Sequence, residues 1–350
     1  MSGRLTRRSL LLSTLFAAAG TGLAACAGGA AAGPTLAPDA ALPTSVPPGT
    51  VLRIASNQRV QDLALELSGL LDDLPFTVAE WVNLGAGPDI INAFRAESLD
   101  VGLNAGIPPI QAHYQGFDAK IVGVRHTREP KYLLATRPGS PIGDVADFRG
   151  ARLAFSQGQA QGVVLLRALQ QAGIHPDEVQ LVPLASTQFL TALQSGQVDV
   201  APLGLAQVPK YLQQYGGDGA RALRTDVVDL LTVLWAPDQV LRDPAKAAAI
   251  AAFVPLWAAS TTWTWENPEP WAQAYYVDTQ NLTLEAAREI IALGDKPYFP
   301  PSWDEAIAWE QETADLLAQG GFVDPFDVTG LFDRRFEPLA AAAVSDEYRK

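Results

Sequence analysis

Short apolar stretches alternate with segments of helical periodicity between residues 51 and 230. Apolar stretches bounded by turn residues predict strands, and apolar residues spaced three or four positions apart predict helices. The strands are expected at 51–55, 76–82, 100–103, 119–124, 131–137, 151–155, 179–184 and 198–203, and the helices at 60–71, 88–96, 107–114, 162–172, 187–195 and 207–215. Because strands and helices alternate, the pattern predicts an α/β fold with mainly parallel sheets flanked by helices.

The order of helix, glycine and strand occurs twice in similar form, over residues 91–102 and 190–201. This repetition predicts two similar lobes. The apolar segment 229–237 is expected to return the chain to the first lobe. Beyond it, helical spacing is expected at 244–265, 268–276, 284–292 and 303–319, where the Trp and Phe residues are interpreted as packing residues.

Residues 83–109 contain two glycine-bearing turns, each just before an expected helix. The start of a helix carries unpaired N–H groups and a partial positive charge, so it can hold an oxyanion without Lys or Arg. These turns are interpreted as half of a ligand cleft at the carboxyl ends of the strands. The alternative is a pair of ordinary α/β turns, which glycine spacing alone does not distinguish.

The N-terminal residues 1–26 have the pattern of an export signal. Three arginines precede an apolar run over 10–18 and a small-residue segment that ends at Cys26. The run is short and interrupted, which disfavours a transmembrane anchor. The sequence Leu23-Ala24-Ala25-Cys26 resembles a bacterial lipobox, in which the cysteine is acylated after cleavage. The segment Thr6-Arg7-Arg8-Ser9-Leu10-Leu11 partly resembles a twin-arginine signal, and ordinary secretory export stays open.

Residues 27–50 are rich in Ala, Gly and Pro and are expected to be a disordered linker. The 350 residues carry a formal net charge of −13, with a sequence pI of about 4.7. An acidic surface repels phosphate backbones, so a nucleic-acid partner is not expected. Membrane attachment is expected only through lipid on Cys26.

Catalytic and metal-binding patterns are not apparent in the sequence. Cys26 is the single cysteine, and His113, His126 and His175 are widely spaced, with no HExxH or CxxC arrangement. No phosphate-loop lysine motif and no GxSxG turn occurs. The expectation is a binding protein that is not an enzyme and needs no metal or cofactor.

Four stretches together resemble the aliphatic sulfonate, taurine and nitrate group of solute-binding proteins that serve ATP-driven importers. They are Gly85-Ala86-Gly87-Pro88, Gly106-Ile107-Pro108-Pro109, Ser140-Pro141-Ile142 with Asp147-Phe148-Arg149-Gly150, and the segment 311–317. The resemblance implies a two-lobed periplasmic-binding-protein-like (type II) fold that closes on its ligand by hinge motion. It also implies permease and ATPase partners and an extracytoplasmic, lipid-anchored location.

On this model, residues 51–135 form lobe 1, 136–230 form lobe 2, and 231–350 return to lobe 1 with the C-terminal helices. The hinge strands are expected at 131–137 and 230–237. The resemblance implies that ligand touches Ser56, Asn57, Gln58, Gly85, Ala86, Asn104, Ala105, Gly106 and Ile107 in lobe 1. In lobe 2 it implies contacts with Gln157, Gln159, Ala160, Gln161, Gly204 and Leu205.

Three departures from the sulfonate-binding pattern change the expected ligand. Gly106 stands where these proteins usually have Asp, Gln159-Ala160-Gln161-Gly162 replaces a Ser-Ser-Ser-His-like run, and Gly204-Leu205-Ala206 replaces Trp-Asp-Pro. A roomier, amide-lined pocket favours an alkyl or aryl sulfonate over nitrate or taurine. Two alternatives stay open: a thiamine-pyrimidine or other heteroaromatic solute, and a desulfinase-like hydrolase on the same fold. Arg59, Arg125 and His126 are the charged residues considered as additional cleft contacts.

Overall fold

The computed structural model describes residues 35–350. The export signal, the lipobox and Cys26 lie outside the described residues. The linker was expected to extend to residue 50, but the chain contacts the folded body from Leu36, whose N–H donates to Arg242 O at 2.7 Å. Arg335 Nη1 donates to the carbonyls of Ala37 and Ala40, and Leu42 and Val46 pack on the core. Composition did not indicate this attachment because it depends on a distant arginine.

The strands of the described residues agree closely with the hydrophobic pattern. They are β1 (Val51–Ala55), β2 (Thr77–Val82), β3 (Gly102–Ala105), β4 (Ala119–His126), β5 (Tyr132–Thr136), β6 (Arg152–Phe155), β7 (Gln180–Pro183), β8 (Val200–Gly204), β9 (Ala222–Leu223) and β10 (Leu231–Pro237). The two-residue strand β9 was not predicted, since a run that short has no detectable alternation.

The helices follow the 3.6-residue spacing of the sequence. They are α1 (Val60–Leu67), α2 (Gly87–Arg95), α3 (Ile107–Tyr114), α4 (Ala160–Gln171), α5 (Phe189–Gln194), α6 (Val208–Tyr215), α7 (Asp238–Leu241), α8 (Pro244–Glu266), α9 (Pro268–Trp271), α10 (Leu284–Ala292), α11 (Asp304–Gln319) and α12 (Glu337–Ala342). After α9 the chain continues as a π-helix over Ala272–Thr279. The sequence predicted one helix over 268–276, because periodicity does not separate a π-turn from an α-turn.

Lobe 1 is built on a two-stranded sheet, β1-β2, and a three-stranded sheet in the order β3-β10-β4, which one bridge connects. Strands β1 and β2 are parallel, and Ile54 of β1 bridges Val101, just before β3, in parallel register. Strand β10 is antiparallel to both β3 and β4. The lobe therefore consists of residues from both ends of the described chain.

Lobe 2 is built on a sheet in the order β7-β6-β8-β5-β9. Strand β6 is parallel to β7 and β8, whereas β5 is antiparallel to β8 and β9. Each lobe thus has a parallel part and an antiparallel part. The two-lobed α/β architecture expected from the sequence is present.

The chain crosses between the lobes slightly outside the expected hinge strands. Strand β5 belongs to the lobe 2 sheet and β10 to the lobe 1 sheet, so the crossings are the connections 127–131 and 224–230. The apolar residues of these strands are needed inside the sheets, which places the crossings in the more polar segments before them.

Helix α8 is the one described helix that is long and apolar enough to cross a membrane, and 56% of its most apolar window is buried. Ala249, Phe253 and Trp257 on this helix lie in the main hydrophobic core. Core helices pass the same length and composition test. The burial of α8 accounts for its apolar character without a membrane.

Candidate functional site: the interlobe cleft

A cleft of about 490 Å³ lies between the two lobes, at the carboxyl ends of their parallel strands. Its first-lobe wall consists of Asn57, Gln58, Gly85, Ala86, Gly87, Asp89, Asn104, Ala105 and Pro108. Its second-lobe wall consists of Tyr132, Gly158, Gln159, Ala160, Gln161, Ser186 and Thr187. The size is that of a pocket for a small organic molecule.

The start of α2 supplies main-chain donors to the first-lobe wall. Ala86 is the N-cap residue in extended conformation, and its carbonyl accepts the N–H groups of Asp89 and Ile90. The N–H groups of Gly85, Ala86 and Gly87 make no hydrogen bond among residues 35–350. Such orphan donors at a helix start form a site for negative charge.

The position of this turn is fixed by a buried relay of amide and indole groups. Trp235 Nε1 of β10 donates to Asn104 Oδ1 at 3.0 Å, and Asn104 Nδ2 donates to Gly85 O at 3.1 Å. Both polar ends of Asn104 are therefore used for positioning. A Cβ on Gly85 would lie 2.6 Å from Asn57 Cγ, so only glycine fits here without moving the Asn57 side chain.

The loop after β1 adopts a strained conformation beside the cleft. Gln58 and Arg59 have φ of 51° and 68°, in the left-handed region that non-glycine residues rarely occupy. Asn83 Oδ1 accepts the Gln58 N–H at 2.8 Å and holds the first of these residues. Strain of this kind concentrates at ligand sites, where it positions a side chain.

The second-lobe wall combines a helix start with side-chain amides. Gln159 Oε1 accepts from Ser156 Oγ at 2.7 Å and from Ser186 N at 3.0 Å, which joins the loops after β6 and β7. The N–H groups of Ala160 and Gln161, in the first turn of α4, make no hydrogen bond in the described part of the chain. The second-lobe wall therefore also provides unpaired main-chain donors.

Charged side chains are scarce on the cleft walls. Across residues 35–350, no Lys, Arg or His lines the cleft, and the titratable residues that do are Asp89 and Tyr132. Burial, with a smaller contribution from Asp229, raises the pKa of Tyr132, so its hydroxyl stays neutral at pH 7. An anion in this cleft would depend on amide and hydroxyl donors.

Several residues expected to contact ligand do not line the cleft. They are Ser56, Gly106, Ile107, Gln157, Gly204 and Leu205. Ser56 is buried, with its hydroxyl donating to Asp62 Oδ1 at 2.7 Å. Gln157 Nε2 donates to Phe322 O at 2.9 Å. Leu205 lines a different gap, between α6 and α10.

The three additional candidates also lie elsewhere. Arg59 makes ion pairs with Asp62 and Glu66, since its left-handed backbone directs the side chain along α1. Arg125 donates to Thr232 Oγ1 at 2.9 Å and lines a separate cavity. His126 is fully buried, and burial lowers its pKa to about 4 despite the nearby Glu305 carboxylate.

Sequence reasoning missed part of the cleft. Gly87, Asp89, Pro108, Tyr132, Gly158, Ser186 and Thr187 line it as well. Tyr132 was assigned to a hinge strand and Thr187 to a helix start. The loop between β7 and α5 could have been identified from the sequence. It follows the carboxyl end of a parallel strand, as does the loop between β6 and α4 that contains Gln159.

A buried carboxyl group lies beneath the first-lobe wall. Glu310 of α11 is 1% exposed, and its Oε1 has no hydrogen-bond partner in the described chain. Its carboxyl group occupies the space where a side chain of Gly106 would be. Burial, and then the Asp229 carboxylate, raise the pKa of Glu310 to about 8, against an opposing effect of Arg167. Glu310 is therefore protonated at pH 7 and adds no negative charge beside the start of α3.

Metal-ligating side chains do not cluster in the described residues: no group of three or more His, Cys, Asp or Glu is placed to hold an ion within 35–350. His113 stacks on Phe326, with the ring centroids 4.3 Å apart. His175 caps a short 3₁₀ turn at the surface. The cleft geometry is that of a site that binds through neutral hydrogen-bond donors.

Known proteins that are similar to this chain in sequence or structure include proteins named for sulfonate binding. A protein of Escherichia coli strain K12 named "Putative aliphatic sulfonates-binding protein" is 36% identical over 125 residues, which are 36% of this chain and 39% of that protein. The chain thus aligns with about two fifths of that relative's length. The crystal structure of the periplasmic aliphatic sulphonate binding protein SsuA from Escherichia coli matches with a TM-score of 0.68 at 26% identity, over 81% of this chain and 91% of that one.

An enzyme shares the fold. The crystal structure of the desulfurization enzyme DSZB matches with a TM-score of 0.53 at 15% identity, over 83% of this chain and 99% of that one. This likeness concerns the fold alone. The two-lobed periplasmic-binding-protein fold expected from the sequence is confirmed.

The family model described as "NMT1/THI5 like" matches residues 82–270, just over half of the chain. The matched segment contains the α2 and α3 starts, the whole of lobe 2 and both crossings. The resemblance to sulfonate-binding proteins that the sequence motifs indicated is also confirmed. This chain belongs to the NMT1/THI5-like family.

Proposed function

We propose that this protein is the extracytoplasmic solute-binding component of an ATP-driven importer, and that it captures an alkyl or aryl sulfonate in the interlobe cleft. On this proposal it is anchored by lipid on Cys26 and delivers the ligand to a membrane permease. The relatives that the chain matches are named for sulfonate binding, which supports the ligand class.

One observation carries the proposal: residues with unpaired N–H groups at the start of α2 and at the start of α4 line the same cleft. A sulfonate has three oxygens and a single charge spread over them. It can accept several main-chain hydrogen bonds at once, and these bonds to a charged acceptor are the stronger kind. The partial positive charges at the two helix starts also stabilise a bound anion, so no cationic side chain is needed.

The cleft also suits the organic part of such a ligand. Its volume of about 490 Å³ exceeds the needs of a bare inorganic anion. Ala105, Pro108, Ala160 and the ring of Tyr132 provide apolar surface next to the amides. A larger alkyl or aryl group is therefore favoured over nitrate or taurine.

Isothermal titration calorimetry of the mature protein tests the proposal. Butanesulfonate and benzenesulfonate should bind with dissociation constants in the micromolar range, about −8 kcal/mol, and nitrate at least tenfold more weakly. Because neutral donors hold the anion, affinity should change little between low and high salt, in contrast to a Lys or Arg site. If every sulfonate fails to bind at millimolar concentration, the proposal is wrong.

A heteroaromatic solute is the second candidate. The neutral amides of Asn57 and Gln161 can pair with ring nitrogens, and the Tyr132 ring lies on the cleft wall. An aminopyrimidine titrated in the same way separates the two. Tight aminopyrimidine binding without sulfonate binding would select this candidate.

A desulfinase-like activity is the candidate from another class. Thiol catalysis has no support, because the only cysteine of the sequence is Cys26 in the lipobox-like motif. Ser186 and Thr187 provide hydroxyl groups on the cleft wall, but no histidine lines it within the described chain. Release of sulfite from an aryl sulfinate by the purified protein would show that the site is catalytic.

A further inference from the structure

A second cavity, of about 290 Å³, lies in lobe 1 between the ends of β4 and α8 and the C-terminal helices. Its lining includes Arg125, Thr264, Trp265, Trp271, Ile290 and Asp295. It shares no lining residue with the interlobe cleft in the described chain. The sulfonate proposal leaves this cavity without a role.

The guanidinium of Arg125 forms the inner end of this cavity and is incompletely paired. Its Nη2 donates to Thr232 Oγ1 at 2.9 Å, but its Nε is buried and has no hydrogen-bond partner in the described chain. Arg125 makes no salt bridge there either. Burial lowers the pKa of Arg125, against a smaller opposing effect of Asp295. A buried cation without an ion-pair partner is costly, and a bound anion would relieve that cost.

The charged residues near Arg125 do not supply it with an ion-pair partner in the described chain. Asp295 Oδ2 accepts the main-chain N–H groups of Arg128 and of Glu129, the latter at 3.3 Å, so this carboxylate is already in use. Behind Arg125, Lys131 Nζ donates only to Thr127 Oγ1 at 2.9 Å. Burial, and then the charge of Arg125, lower the pKa of Lys131 to about 8, against smaller opposing effects of Asp229 and Asp295. Arg125 and Lys131 therefore lie near the carboxylates of Asp295 and Asp229, but neither cation makes a salt bridge within residues 35–350.

The outer part of the cavity is aromatic and apolar. Trp265 is 38% exposed, which is unusual for a residue that buries well. Trp271 stacks on Tyr275 with the centroids 4.6 Å apart and thereby keeps its ring in place. Ile290 and Ile291 also line the cavity. A flat apolar group entering between these surfaces would cover the exposed tryptophan.

We propose that this cavity is a second ligand site, which binds a small aromatic monoanion of benzoate size with its carboxylate on Arg125 and its ring against Trp265. The planar guanidinium can pair with a carboxylate through two parallel hydrogen bonds. The volume of about 290 Å³ accommodates one aromatic ring with its charged group. The site is independent of the ligand in the interlobe cleft.

Fluorine NMR of 4-fluorobenzoate with the mature protein tests this site. The wild type should broaden and shift the probe signal saturably, with a dissociation constant below about 1 mM. Arg125→Gln should weaken binding at least tenfold, because the charge pair is lost. Thr264→Phe should do the same by filling the cavity while leaving Arg125 in place. Arg149→Gln removes an exposed arginine of lobe 2 and serves as the charge-matched control, with unchanged binding.

The proposal is overturned if 4-fluorobenzoate binds equally well to Arg125→Gln and to Thr264→Phe, or does not bind the wild type at 10 mM, far above the expected ~1 mM range. A signal that survives both variants but disappears in Gly87→Ala would place the probe in the interlobe cleft and would also contradict the proposal. Circular dichroism of each variant shows that it is folded. If Arg125→Gln does not fold, Thr264→Phe decides alone.

Discussion

The two lobes contain the same arginine–aspartate clamp at equivalent places. In lobe 1, Asp100 Oδ2 accepts from Arg53 N at 2.8 Å and from Arg53 Nε at 3.1 Å. In lobe 2, Asp199 Oδ2 accepts from Arg152 N at 2.9 Å and from Arg152 Nε at 3.0 Å. Each clamp ties one strand, β1 or β6, to the segment just before the second strand that follows it, β3 or β8. The repeat within the chain therefore extends to individual hydrogen bonds.

The clamps differ in their second cation. Asp100, with 2% of its side chain exposed, also pairs with Lys246 Nζ of α8 at 2.7 Å. Asp199, with 16% exposed, pairs with Arg137 Nε at 2.8 Å, just after β5 of its own lobe. The lobe 1 clamp thus attaches the C-terminal helices to the sheet, whereas the lobe 2 clamp is local. The larger lobe depends on contacts between distant parts of the chain.

The cleft-facing loops show the same contrast. Lobe 1 presents mainly main-chain groups at the α2 start, held from behind by Asn104. Lobe 2 presents the amide side chains of Gln159 and Gln161 together with the α4 start. The two lobes therefore share a framework but present different hydrogen-bonding groups to the same ligand. Changes to the framework should affect stability, and changes to the loops should affect affinity.

Breaking the lobe 1 clamp should have the largest effect. Asp100→Asn leaves Arg53 and Lys246 without their buried carboxylate, and breaking a buried ion pair costs about 3–5 kcal/mol. We expect a loss of unfolding free energy of this size in urea denaturation. Asp199→Asn, in a more exposed clamp, should lose less, and Asp72→Asn at the surface serves as the control. Equal losses in both clamps would contradict the difference between the lobes.

Replacing the titratable carboxyl group of Glu310 should have the next largest effect on stability. The folded pKa of about 8 lies above the ordinary glutamate value of 4.5, which applies to the unfolded chain. The folded state therefore binds an extra proton in this window, and wild-type stability should fall as the pH rises from about 4.5 through 8. Glu310→Gln keeps the shape and the donor but not the charge. It should be about 1–3 kcal/mol more stable than the wild type at pH 9.

The pH dependence itself is the check on this prediction. Thermal unfolding at several pH values should show a gain for Glu310→Gln that grows with pH and is absent near pH 4. Glu312→Gln, on the same helix with an exposed side chain, is the matched control. A gain that does not vary with pH would show that Glu310 does not titrate as described.

Adding one methyl group at the cleft should have a smaller effect, confined to binding. In Gly85→Ala the new Cβ displaces the Asn57 side chain and shifts the donors at the α2 start. Sulfonate affinity should drop about tenfold, which corresponds to about 1.4 kcal/mol. Gly330→Ala, where no atom lies within 4 Å of an added Cβ, is the control for a glycine change. Calorimetry on both variants measures the difference, and an unchanged affinity in Gly85→Ala would contradict the site.

The sequence predicted the framework well because local patterns determine it. Strand β1 and helices α3 and α10 have the predicted boundaries, since each has clear periodicity and turn residues at its ends. Helix α12 was missed, because its alanine-rich sequence has no polar face to reveal it. The docking of residues 36–50 depends on contacts across the whole chain and leaves no local signal.

The site was less predictable than the fold. Asn57, Gln58, Gly85 and Gln159 lie in the loops that follow strands, and the structure brings them to one cleft. Ser56 directly precedes Asn57, but its side chain is buried and its hydroxyl donates to Asp62 Oδ1. Tyr132 and Ser186 reach the cleft only through the relative placement of the lobes. The expected role of a residue at a strand end therefore depends on a register that the sequence does not reveal.

The central claim is that main-chain donors of both lobes hold the ligand, and amide NMR tests it most directly. Benzenesulfonate added to ¹⁵N-labelled protein should move the amide protons of Gly85, Ala86 and Gln161 downfield, as expected for N–H groups that gain a charged acceptor. The amide of Gly330 should not move. If benzenesulfonate binds and these cleft amides keep their free-state shifts, main-chain capture of the sulfonate is contradicted.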